Sequence, residues 1–316
     1  MNTRALAVTG AAVGGALLAR SLIRRYTAYD LHDRVALVTG GSRGLGLVLA
    51  RELASRGAKV AICARDPDEL ATARTELLAR GARVVALPCD VTDRGQLARL
   101  VADVHQQLGL VDVLVNNAGV IQVGPMKVMT VDDYEQAMAT HFWAPLHLMM
   151  AVLPEMLERG EGRIVNIASL GGKIAMPHLL PYTASKFALV GLSQGMRAEL
   201  AKDGIAVTTV IPGLVRTGGV MHAIFKGQFR DELKWFAAAD TTPLTALQAE
   251  RTARRIVEAM CHGDLELILS AHAHLATRLA AIAPSLTQRA LALVDRVLPK
   301  PGGIDAAGVT GAVASW

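Results

Sequence analysis

Tyr182 and Lys186 stand four residues apart in Pro181-Tyr182-Thr183-Ala184-Ser185-Lys186, a segment compatible with a helix. Positions i and i+4 share a helix face, so a phenol and an ammonium can meet there in one site. A neighbouring cation favours phenolate and would lower the tyrosine pKa, giving a proton donor or acceptor usable near neutral pH. The same spacing also occurs in helices where it means only a half-buried ring beside a solvated lysine, so the surroundings decide. Upstream, Gly162-Arg163-Ile164-Val165-Asn166-Ile167-Ala168-Ser169 reads as an apolar strand ending in a hydroxyl. Ser169 then lies at the C-terminal edge of a strand, where open parallel sheets bind ligands.

These groups need a scaffold. Val35-Ala36-Leu37-Val38 is a second apolar run, leading into Thr39-Gly40-Gly41-Ser42-Arg43-Gly44-Leu45-Gly46 and then a helical pattern from Leu47 to Arg56. Strand, glycine turn and helix is the order a dinucleotide site requires. Glycines allow the tight turn, and the helix N-terminus offers free N–H groups and partial positive charge to a pyrophosphate. Along the chain, strands are expected near 35–39, 59–64, 84–89, 113–116, 163–168, 206–211 and 265–269, with helices in most intervals. Such alternation predicts a parallel sheet with helices on both faces. Thr9-Gly10-Ala11-Ala12-Val13-Gly14-Gly15 imitates the phosphate loop, but only a short apolar stub precedes it.

The ordered set of motifs resembles the short-chain dehydrogenase/reductase family of the single-domain type. It comprises Thr39-Gly40-x-x-x-Gly44-x-Gly46, Asp90, Asn116-Asn117-Ala118-Gly119, Ser169, Tyr182-x-x-x-Lys186 and Pro212-Gly213-Leu214-Val215-Arg216-Thr217. The resemblance implies an α/β fold: a doubly wound parallel β-sheet, Rossmann-like, of about seven strands. It places a catalytic domain at 33–270, with a substrate lid at about 217–245, between an N-terminal extension at 1–32 and a C-terminal helical extension and irregular tail at 271–316. It assigns cofactor contacts to Gly40, Ser42, Arg43, Gly44, Leu45, Gly46, Arg65, Asp90, Val91, Asn117, Tyr182, Lys186, Pro212, Val215 and Thr217. Ser169, Tyr182 and Lys186 become the catalytic set: Ser169 orients a carbonyl, Tyr182 supplies the proton, and Lys186 tunes the phenol and holds the nicotinamide ribose. No metal is expected.

Charge discriminates between cofactors. NAD sites usually carry a carboxylate at the end of the second strand, which would repel a 2′-phosphate. Ala64 occupies that position, Arg65 follows it and Arg43 lies in the glycine loop, so NADP(H) is favoured over NAD(H). Asp66-Pro67 reads as a helix N-cap followed by proline at N1. His141 stands where many members of the family place an asparagine that serves a proton relay. Two readings compete for it: a substituted relay, or a histidine that fills space and satisfies a backbone carbonyl. An oxidoreductase on a carbonyl or alcohol is therefore expected; a catalytically weak dinucleotide-binding sensor or scaffold is the alternative.

Composition fits this reading. Hydrophobic residues make up 52% of the 316 and aromatics only 4%, an aliphatic core suited to a buried parallel sheet. Cys63, Cys89 and Cys261 lack metal-type spacing and read as reduced core residues of a cytosolic protein. The net charge of +5 comes without an aromatic-plus-basic strip, which argues against nucleic acid. His272 and His274 would point apart on a helix, which argues against a metal site. The lid segment holds Val220, Met221, Ile224, Phe225, Phe229, Trp235 and Phe236, so a lipophilic substrate is expected, or else burial against the helix near 252–260 or an oligomer interface. A homodimer or homotetramer is expected. Ala5 to Ala19 carries no charge and is followed by Arg20, Arg24 and Arg25. For residues 5–25 the readings are membrane contact, with the catalytic domain on the cytoplasmic side, or a helix packed on the domain.

Overall fold

The computed structural model describes residues 28–241, 247–302 and 304–314. Seven strands form the main sheet: β1 (Val35–Thr39), β2 (Lys59–Ala64), β3 (Val84–Pro88), β4 (Val113–Asn116), β5 (Gly162–Ile167), β6 (Ile205–Ile211) and β7 (Glu266–Ile268). All pairings are parallel, in the order β3-β2-β1-β4-β5-β6-β7. The order reverses between β1 and β4, and the C-terminal ends of the strands at such a switch point are where sheets of this kind bind ligands.

Among the described residues, ten helices of eight or more residues accompany the strands: α1 (Gly44–Ser55), α2 (Pro67–Ala79), α3 (Arg94–Leu108), α4 (Val131–Met138), α5 (Ala144–Arg159), α6 (Leu180–Leu200), α7 (Phe229–Thr241), α8 (Ala249–Cys261), α9 (Ala271–Ile282) and α10 (Pro284–Asp295). The strands alternate their side chains between two apolar layers, as the two-residue period demands. Ala36, Val38, Val60 and Ile62 meet Leu53 of α1, Leu77 of α2 and Ile256 of α8. Leu37, Ala61 and Leu114 meet Val104 of α3 and Leu148 and Val152 of α5. Cys63, Cys89 and Cys261 are free and buried.

The tail departs from expectation. Instead of remaining irregular, Ile304–Thr310 forms a strand antiparallel to Ile224–Gly227 of the lid, which also pairs in parallel with Gln122–Val123. The pairing is a backbone affair at a bulge where bare glycines let strands approach: a Cβ on Gly308 would lie 2.5 Å from Ile224 Cγ2. The lid aromatics depart too. Phe225 and Phe236 are buried in a small core of their own with Val123 and Ala223, and Leu179 and Trp235 pack on it. Among the described residues, no helix is long and apolar enough to cross a membrane. Residues 5–25 lie outside the described part.

Candidate active site

The glycine loop joins β1 to α1. Gly40 and Gly44 have φ of 64° and 56°, which side chains rarely adopt. Gly46 is required by space: a Cβ there would sit 2.1 Å from the Gly40 carbonyl oxygen. Thr39 Oγ1 accepts the Asn117 and Ala118 N–H groups at 2.9 and 3.0 Å, and the Asn117 amide donates to the carbonyls of Thr39 and Gly40. Asn117 thus props the loop. No side chain caps α1, and its first turn carries no acid, so its leading N–H groups remain available to an anion. Thr217, the last residue of the Pro212 loop, stands opposite: a Cβ on Gly44 would be 3.6 Å from Thr217 Cβ.

Two loops and one helix converge beside this cradle. β5 ends at Ile167, and Ser169 then caps a short turn, its Oγ accepting from Gly171 N–H at 3.0 Å. Leu170 N–H donates to the Pro212 carbonyl at 2.9 Å, tying the serine loop to the Pro212 loop. α6 packs tightly here, since methyl groups on Gly171 and Gly172 would come within 3.1 Å of the Tyr182 ring and 2.8 Å of the Lys186 carbonyl oxygen. Lys186 Nζ donates to the Ile167 carbonyl at 2.8 Å and lies 5.7 Å from the Tyr182 ring centre. The spacing read from the sequence therefore does bring Ser169, Tyr182 and Lys186 together.

Their proton chemistry corrects one expectation. Burial raises the Tyr182 phenol above its ordinary value, and a hydrogen bond with Ser169 pulls the other way without reversing it. Burial also lowers Lys186 from 10.5 to about 7, because an ammonium loses hydration without gaining a carboxylate. The protein alone therefore does not present a depressed phenol beside a permanent cation. The unfolded chain binds an extra proton between about pH 7 and the ordinary lysine value, so Lys186 makes stability rise with pH across that window. Lys186→Met removes this slope. The melting temperature of the variant should exceed that of the wild type most near pH 7, with the gap closing towards about pH 10; a gap independent of pH would contradict the assignment.

His141 lies within a π turn, Ala139–Trp143, inserted between α4 and α5. Pro145 has no N–H to return to the His141 carbonyl, so the ladder shifts, and Ala144 N–H bonds to the Ala139 carbonyl. The ring is fully buried and T-shaped against Tyr182 at 5.4 Å. Its Nε2 accepts from Val120 N–H at 3.1 Å, so Nδ1 carries the proton and donates to Ser185 Oγ at 2.7 Å. Ser185 donates in turn to the Tyr182 carbonyl at 2.8 Å. Burial, and then Lys186, hold the imidazole well below its ordinary pKa. The group satisfied is a backbone N–H, where the sequence suggested a carbonyl. His141→Leu should leave the Val120 N–H unpaired, at about 1–3 kcal/mol, and strip Ser185 Oγ of one of its two bonds. Its melting temperature and kcat should fall together while the pH profile of kcat keeps its shape, and His141→Gln should recover part of both; a lost inflection near pH 6–7 would instead mark a titrating relay.

At the adenosine end, β2 ends at Ala64 with no acid. Asp66 caps α2 through the Asp68 and Glu69 N–H groups at 2.9 and 3.0 Å, with Pro67 behind it. Glu69, in the first turn of α2, makes further contacts here. It accepts from Ser42 Oγ at 2.9 Å and pairs with Arg43 at 2.5 Å, holding the loop arginine across the cradle. Arg65 is exposed, and no ion pair engages it among the described residues. Asp90 Oδ1 accepts from Thr92 N–H and Oγ1, closing the loop in which Val91 is buried. Leu45 is the second residue of α1, and Val215 lies in a short strand paired with Leu247. These residues fit a dinucleotide: a glycine cradle on an uncapped helix, a strand end without a carboxylate, and two arginines.

Two buried polar pairs lie outside the sequence motifs. Lys226 of the lid strand pairs with Asp133 of α4 at 2.6 Å. His178, at φ 61° in the loop before α6, meets Glu232 of α7 at 2.8 Å, and Glu232 also accepts from Trp235 Nε1 at 2.6 Å. The first ties Ile224–Gly227 to α4, and the second ties α7 to the loop before α6. Neither has a sequence signal, because each pairs residues from distant segments.

Comparison with known proteins converges on one family. The family profile described as short chain dehydrogenase matches residues 34–226. The chain is 42% identical over 185 residues to the granaticin polyketide synthase putative ketoacyl reductase 1 of Streptomyces violaceoruber, covering 58% of this chain and 68% of that protein. It is similar to a crystal structure of a short-chain dehydrogenase from Streptomyces avermitilis, with TM-score 0.71 and 33% identity over 83% of this chain and 97% of the other. A variant actinorhodin polyketide ketoreductase crystallised with NADPH is similar at TM-score 0.67 and 33% identity, over 75% of this chain and 95% of the other.

Proposed function

This chain belongs to the short-chain dehydrogenase family and is an oxidoreductase acting on CH–OH and C=O groups; from that premise we propose that it is NADP(H)-dependent and that Ser169, Tyr182 and Lys186 carry the reaction, on a lipophilic carbonyl or alcohol. The observation that carries the reading is the convergence of Ser169, Tyr182 and Lys186 beside the glycine cradle of α1, with Lys186 bound to the last carbonyl of β5.

The cofactor would rest on Gly40, Gly44 and Gly46, with Thr217 opposite and Lys186 towards its ribose, and would supply the hydride. The protein's own part is proton management. Ser169 orients the carbonyl oxygen, and Tyr182, kept protonated by burial, donates to it. Lys186 titrates near neutrality, so it can return a proton towards the phenol. His141 acts as a positioning residue: it fixes the Tyr182 backbone through Ser185 and holds the Val120 loop, with both ring nitrogens already engaged.

The absence of an acid at Ala64, the exposed Arg65 and the NADPH in a similar ketoreductase support NADP(H). Ala64→Asp should reduce the ratio of kcat/KM for NADPH over NADH by about 10- to 100-fold, the worth of one charged hydrogen bond to phosphate. Steady-state kinetics with both cofactors would reveal an unchanged ratio if the clamp lies elsewhere. A panel of aliphatic, aromatic and polyketide-like carbonyls, followed by NADPH absorbance, tests the activity. Trp143, Met150 and Leu157 stand exposed at intervals of seven along the π turn and α5, with Phe187 exposed on α6, and this apolar stripe supports a homodimer.

A further inference from the structure

The C-terminal hairpin carries an apolar face that the catalytic reading does not use. Leu275, Leu279 and Ile282 of α9 follow the 4- and 3-residue spacing of one helix face, and Leu286, Leu293 and Val297 repeat every seven and four residues along and just beyond α10. All six are between 51% and 82% exposed. Single exposed leucines are ordinary, but a run in helical register marks a contact surface. On the inner side of the hairpin Ala273 is buried, His274, Thr277 and Arg278 line an open cleft shared with Lys173 and Glu266, and Asp295 approaches His178 at 3.6 Å. Lys173 ends the turn that follows Ser169, and His178 precedes α6. The hairpin therefore borders the segments that follow Ser169 and precede α6.

Charge selects what covers the outer face. Apart from Arg278 in the inner cleft, the cations from residue 271 to residue 300 are Arg289, Arg296 and Lys300, and the only carboxylate, Asp295, lies 3.6 Å from His178. A second copy would bring the same cations against these and repel. An apolar ridge flanked by arginines is complementary to an anionic lipid surface, where the leucines enter the acyl boundary and the guanidiniums meet phosphates. We propose that α9 and α10 dock the protein on anionic phospholipid bilayers, setting the Ser169 and Tyr182 loops beside the lipid phase. The proposal goes beyond the reaction assigned above and does not depend on it.

Vesicle co-sedimentation of the full chain tests this, using phosphatidylcholine alone and phosphatidylcholine mixed with phosphatidylglycerol. The wild type should bind the anionic vesicles, more weakly as salt rises, and the neutral ones far less. Leu279→Glu with Ile282→Glu should weaken binding by about tenfold or more, and Arg289→Glu with Arg296→Glu should do so on anionic vesicles only. Turnover of a water-soluble carbonyl should be unchanged in both, which also controls for folding. The proposal is overturned by no wild-type binding, by equal binding to both vesicle types, or by undiminished binding of the leucine variant, which would shift the contact to residues 1–27. Loss of a dimer in that variant by light scattering would show that a second copy covers the face.

Discussion

Tyr182→Phe is expected to lower kcat for carbonyl reduction by about 10²- to 10⁴-fold, the usual worth of a positioned general acid. The substitution keeps the ring, its packing on Gly171 and its edge contact with His141, and removes only the hydroxyl shared with Ser169. Dinucleotide affinity should therefore stay within about threefold by fluorescence titration, because the glycine cradle is built on other elements. The burial that raises the phenol pKa adds a signature. A phenol held above its ordinary value stays protonated through neutral pH, so reduction by the wild type should show no loss from tyrosine ionisation below about pH 10. A phenylalanine variant that retains most of its turnover would remove Tyr182 from the reaction and leave Lys186 or a solvent molecule as the donor.

Gly46→Ala should be the most damaging single-methyl change in the cofactor site. The added carbon would stand 2.1 Å from the Gly40 carbonyl oxygen and 2.5 Å from Asn117 Nδ2. The first is backbone, and the second is pinned by its own bonds to Thr39 and Gly40, so neither can step aside alone. The loop must open or α1 must slide, and overpacking of this kind costs about 1–3 kcal/mol. NADPH affinity should fall by about 10- to 100-fold with a lower melting temperature. Gly191 is the control: no atom lies within 4 Å of a Cβ added there, and alanine is the better helix former, so Gly191→Ala should leave affinity intact. Equal affinity in Gly46→Ala would mean that the close approach of loop and helix is not part of the binding surface.

The main sheet was legible because a buried parallel strand is an uninterrupted apolar run, and all seven runs fold where they were expected, to within a residue or two. Asp66 was legible as a cap because proline at N1 and an Asx side chain form a purely local device. The catalytic juxtaposition was legible from helix geometry, but the pKa directions were not: desolvation is set by Gly171, Gly172 and the end of β5, which no spacing on α6 reveals. The π turn had a readable sign in Pro145, four residues after His141. The lid fastenings had none, since the His178–Glu232 and Lys226–Asp133 pairs join distant parts of the chain. The Ile304–Thr310 strand also stayed hidden, because its Gly-Ala-rich sequence lacks alternation and its register comes from the strand it joins.

That strand bears on how the enzyme is born. The lid strand Ile224–Gly227 finds one neighbour in Gln122–Val123, made well before it, and the other in Ile304–Thr310, made well after it. On the ribosome, the dinucleotide-binding sheet can close while one edge of the lid is still bare. A chain halted before Ile304 would leave Ile224–Gly227 paired along one edge only, so that small sheet is completed last, when the tail has been translated and has folded back onto it.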